Sequence, residues 1–126
     1  MKNENHQFFK KEELLIADQC LSDFVKWLPT FFVNHYGWVA ETLDAYEHFH
    51  KLPFAMRSGV YLAFFREKGI DVVIGFAYEF TEKPQYFYQI SNGVERKTDL
   101  KMYPDYNTAL TEAIKQANQI YNEEKE

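Results

Sequence analysis

From Ile70 to Phe80 the chain alternates with a period of two, so that Ile70, Val72, Ile74, Phe76, Tyr78 and Phe80 project from one side of an extended strand. A row this apolar specifies a buried sheet face. The intervening positions Val73, Gly75 and Ala77 are small and apolar where a water-facing row would be charged. A sheet built on this strand therefore has one face to be covered by helices and a second with little reason to meet solvent.

The neighbouring segments supply the rest of the sheet. Residues 56–66 read as a preceding strand, joined to this one by a turn at Glu67, Lys68 and Gly69. Pro84 separates a third strand, Tyr86 to Ser91, and Asn92-Gly93 is a hairpin turn into a polar strand from Val94 to Met102. Short sequential hairpins make the sheet antiparallel. On this reading Tyr61, Phe65, Val73, Ala77 and Phe87 share the second face and form an interaction surface. Its cover would be the N-terminal helix, a second copy of the chain or a protein partner.

Helical spacing brackets the strands. Leu14, Ala17, Leu21, Phe24, Val25 and Leu28 predict a helix over 11–28, stopped by Pro29. Val39, Leu43, Tyr46 and His50 predict a second that ends before Pro53. Pro104 and Asp105 open a last helix, with Asp105 as N-cap and Tyr106, Leu110, Ala113, Ile114, Ala117 and Ile120 as its stripe. The expected fold is α+β, in the order α-α-β-β-β-(β)-α: an antiparallel sheet of three to four strands, two N-terminal helices and a C-terminal helix packed on the sheet. With 126 residues the chain reads as one domain over 1–126, with 1–10 a flexible N-terminus and 122–126 a frayed tail.

Composition excludes several functions. A net charge of −5 argues against a nucleic-acid partner, since phosphate binding needs clustered Lys and Arg. The strand Ile74 to Phe80 has the alternating aromatics of an RNA-recognition motif, but Ile74 and Glu79 stand at the wrong positions and Phe76 and Tyr78 belong to the row expected under the helices. A double-stranded-RNA-binding domain shares the expected element order, yet the last helix offers only Lys115 and Lys125. Cys20 is the single cysteine, residues 1–11 lack the apolar run of a signal peptide, and no stretch reaches the length of a membrane span. The expected compartment is the cytoplasm.

Candidate chemistry is sparse. Glu47-x-x-His50 has the spacing of a di-iron helix without the second copy such a site requires, and Asp44 with His48 reads as a solvated helical pair. His6, His35, His48 and His50 form no zinc spacing with Cys20, so neither metal nor cofactor is expected. Asp18 and Asp23 near Cys20 raise its thiol pKa, which suits a buried, inert side chain. An enzyme mechanism lacks a starting residue. The Phe- and Tyr-rich connector around Phe31, Phe32, Tyr36 and Trp38 offers a ligand cleft as the alternative to the sheet surface.

Two stretches carry a resemblance: Leu52-Pro53-Phe54 running into Gly59-Val60-Tyr61 and Phe64-Phe65, and Tyr103-Pro104 leading to Ala109, Ala113, Ala117 and Asn118. Together they resemble small proteins without an assigned activity in gut bacteria, their phages and mobile elements, over about the C-terminal two-thirds of the chain. The resemblance implies no activity, cofactor or substrate and slightly favours an accessory or regulatory role. The sheet surface makes a non-enzymatic interaction or self-associating module the expected function.

Overall fold

The computed structural model describes residues 15–37, 42–77, 85–93 and 96–125, in the order α1 (Asp18–Tyr36), α2 (Thr42–Lys51), α3 (Phe54–Glu67), β1 (Asp71–Ala77), β2 (Gln85–Ser91), β3 (Arg96–Tyr103) and α4 (Tyr106–Lys125). The fold is α+β. Its sheet is antiparallel and three-stranded, in the order β1-β2-β3.

Residues 56–66 are helical, and the reason lies in which residues bury. Val60, Tyr61, Phe64 and Phe65 are 0–3% exposed, at the i, i+1, i+4, i+5 spacing of a helix face. Aromatic and β-branched residues at alternate positions gave the segment an equally good strand pattern. The supposed hairpin turn at 67–69 is instead the helix terminus: Gly69 sits at φ 88°, Gly69 N–H donates to Arg66 O and Ile70 N–H to Phe65 O at 2.8 Å. This pair of bonds is the Schellman arrangement.

α1 starts later than its pattern suggested and passes through Pro29. The ring removes one backbone bond at a cost of about 3 kcal/mol. Phe24, Leu28 and Phe32, each fully buried, continue one stripe across the proline. Burying a Phe contributes about 1.5–3 kcal/mol, so the stripe offsets the break. Gly37, at φ 71°, ends the helix. Its start is held by the other end of the chain. Asn118 Oδ1 accepts from Ala17 N–H at 2.9 Å, Asn122 Oδ1 accepts from Cys20 N–H at 2.8 Å, and Asn122 Nδ2 donates to Ala17 O.

α4 begins as expected, with Asp105 Oδ1 accepting from Thr108 N–H at 2.7 Å. It crosses the sheet from Tyr86, against which Tyr106 stands edge-on, to Asn92, whose amide donates to Glu124. Residues 122–125, expected as a frayed tail, continue the helix. α3 and α1 pack against α4, and α2 packs against α1. The core is centred among the helices, where Phe24 meets Phe49, Tyr61 and Phe64 at ring separations of 5.0–5.4 Å. No helix among the described residues is long and apolar enough to cross a membrane.

Candidate interaction surface

β1 carries its apolar row as expected, but the helical cover is graded along it. Ile70 is 1% exposed, Val72 7%, Ile74 half-buried and Phe76 57% exposed. At the Phe76 end α4 has only begun, and Tyr106 rests on Tyr86 of the middle strand, one strand away from the edge. Phe76 is thus not buried beneath the helices as the alternation predicted. Tyr78 and Phe80 lie outside the described residues.

The second face is built by Val73, Gly75 and Ala77 of β1 with Gln85, Phe87, Gln89 and Ser91 of β2. Helical contacts to the sheet come from α3 and α4, whose buried partners Val72, Tyr88 and Ile90 project from the other side. Val73 is 51% exposed. The centre of the face is a cross-strand pair: Gly75 stands opposite Phe87, whose ring lies flat over it. A Cβ at position 75 would fall inside the van der Waals envelope of that ring. The glycine is therefore the seat of Phe87. Only the register shows this, because a single Gly inside a strand pattern has several readings.

The five residues expected on this surface divide. Val73, Ala77 and Phe87 share it. Tyr61 and Phe65 lie on α3, 3% and 0% exposed, packed in the helical core. A strand over 56–66 would place them on the second face, and the helix carries them to the opposite side of the sheet.

The expected ligand cleft divides as well. Phe32 is fully buried, while Trp38 and the side chain of Tyr36 lie outside the described residues. Phe31 lines a shallow groove of about 250 Å³ with Trp27, His35, Ala63, Arg66 and Glu67. Trp27, Phe31 and His35 form a ladder at i, i+4, i+8, with ring separations of 4.7 and 4.3 Å. Glu67 accepts the Trp27 indole N–H at 2.9 Å, and the Arg66 guanidinium faces Asp71.

Among the described residues no three His, Cys, Asp or Glu side chains converge as metal ligands. Glu47 is exposed, whereas His50 is half-buried against Tyr46 and Phe49. Cys20 is fully buried, and burial, followed by the nearby Asp23 carboxylate, pushes its thiol up to about 12. Comparison with protein-family models, curated proteins and solved structures finds no match.

Proposed function

We propose that the chain is a non-enzymatic protein-interaction module whose docking surface is the second sheet face. The observation that carries this reading is Val73, half exposed beside the Phe87 ring on a face that, among the described residues, lies on the side of the sheet away from α3 and α4. The face between Val73 and Gln89 is uncharged and held by backbone pairing, so covering it costs little desolvation of polar groups and little conformational entropy. An accessory role of the kind the resemblance favours fits such a surface.

Size sets the strength. Three strands about 4.8 Å apart and seven residues long at about 3.3 Å each give a plane of about 330 Å². A standard interface takes about 800 Å² from each partner. One face alone supports a transient contact. The groove at Phe31 favours a small-molecule reading less, since about 250 Å³ is below the usual ligand range of about 300–1,000 Å³. Its charged groups are also already engaged.

The test is quantitative capture of proteins from the lysate of the source cell by immobilised wild type, Val73→Lys and Gln89→Lys. Loss of the same captured protein from both variants, with unchanged circular dichroism, is expected. Capture indifferent to both substitutions would remove the face as the docking surface.

A further inference from the structure

β1 and β3 are the edges of the sheet, and they are not defended alike. β3 carries a register irregularity opposite Tyr86 and Tyr88, and its sequence includes Arg96, Lys97, Asp99 and Lys101. Bulges and charges of this kind keep an edge strand from pairing with another chain. β1 runs in unbroken register from Asp71 to Ala77, with a single charge at its first residue and no proline. Among the described residues its outer edge has no strand neighbour.

The exposed side chains of β1 point the same way. Val73 and Phe76 are 51% and 57% exposed, yet they project from opposite faces. A partner laid on the second face would cover Val73 but would not reach Phe76, whose ring leans on Tyr86 on the other face. A strand added along the edge flanks both.

We propose that β1 pairs antiparallel with β1 of a second copy about a two-fold axis at Ile74, joining two sheets into one of six strands. Such an axis sets 72 against 76 and 73 against 75, and directly opposed residues share a face. Val73 then lies beside Gly75 of the second copy, at the rim of the Phe87 ring seated there, while Phe76 stands opposite Val72, which the helices of that copy already bury. The match is self-complementary, as a two-fold interface must be. On the second face the most exposed apolar residue of β1, Val73, meets the position without a side chain, Gly75.

Seven opposed pairs, alternately bonded, close about six to eight backbone hydrogen bonds. A contact one strand long and one inter-strand spacing wide, about 23 Å by about 4.8 Å on each face, lies well below the 1,200–2,000 Å² of stable interfaces, so the dimer is weak. Pairing places the two second faces side by side and doubles the plane to about 660 Å², close to what a standard docking surface takes. That last consequence rests on the docking reading; the pairing does not.

Sedimentation velocity from about 10 µM to about 1 mM tests the pairing, a range suited to weak association. Wild type should pass from monomer to dimer. Val73→Lys and Phe76→Lys should each weaken the dimer at least about tenfold with helical content unchanged, and Gln89→Lys, in the middle of the second face, should leave it within about twofold. An isotope-filtered NOE between Val73 methyls and Gly75 Hα across labelled and unlabelled copies checks the register without any substitution. A wild type monomeric at about 1 mM, or a dimer without that NOE, overturns the pairing. A dimer broken by Gln89→Lys and indifferent to Phe76→Lys moves the interface to the face: the edge pairing fails and the docking reading survives. An edge dimer whose captured proteins ignore Gln89→Lys has the opposite meaning: the pairing stands and the docking reading fails.

Discussion

Tyr121 donates its phenolic hydrogen to Asp23 Oδ2 at 2.5 Å, tying α4 to α1 across 98 positions of sequence. This bond, ahead of the one from Gln19, holds the Asp23 carboxyl below its ordinary range. Replacing Tyr121 by Phe should cost about 1–2 kcal/mol at pH 7, the scale of a hydrogen bond to a charged group partly reached by water. A carboxyl whose folded pKa is depressed stabilises the fold above its unfolded pKa, about 3.9, and loses that contribution as pH falls through the folded value. The difference between wild type and Tyr121→Phe in urea should therefore shrink below about pH 4. An equal difference at pH 3 and pH 7 would place the stabilisation in packing.

Base should unfold the chain through two buried acids. Burial is the main cause that pushes the Cys20 thiol from 9.0 up to about 12, and it raises the Tyr121 phenol as well. Both pKa values are raised, so both contributions are complete below the unfolded values and are lost as pH rises towards the folded ones. Stability should hold to about pH 8 and then fall, by up to about 1.4 kcal/mol per pH unit for each group. Chemical denaturation of wild type and Cys20→Ala between pH 8 and pH 11 separates the two, since the alanine variant should lose the earlier part of the decline.

Gly75→Ala should destabilise the sheet by about 1–3 kcal/mol, because the new methyl must displace the Phe87 ring. In a Phe87→Ala background the same substitution should cost little or become favourable. A double-mutant cycle measures the coupling, and additivity within about 0.5 kcal/mol would mean that ring and glycine do not meet.

Leu110→Ala should cost about 2–5 kcal/mol, since Leu110 is 3% exposed between α4 and the sheet. Phe65→Glu should abolish the cooperative transition instead of altering association, because it places a carboxylate at a fully buried site. A folded Phe65→Glu variant with wild-type circular dichroism would contradict the position of α3.

The sequence was informative where one pattern had one meaning. Ile70 to Ala77 matched a strand and little else, Asn92-Gly93 marked a turn, and Asp105 named its own cap. It misled where two patterns overlapped. Residues 56–66 satisfy both the two-residue and the helical period, and only packing against Phe24 and Phe49 settles the matter. Pro29 looked like a stop because its local cost is readable and the burial of Phe32 beyond it is not. The second face was legible through Val73, Ala77 and Phe87, which strand alternation placed correctly. The seat of Phe87 on Gly75 was hidden, since it depends on a register set across the β1–β2 connection.

The asparagines that close the start of α1 are made about a hundred residues after it. Ala17 and Asn118 are 101 residues apart, and at about 5–20 residues per second a ribosome takes about 5–20 s to travel between them. During that interval the first turn of α1 has neither of its partner amides, and Cys20 and Phe24 have no α4 beside them. The apolar stripe of α1 is therefore complete long before the segment that closes its first turn, and the closing bonds form only once Asn122 has been made.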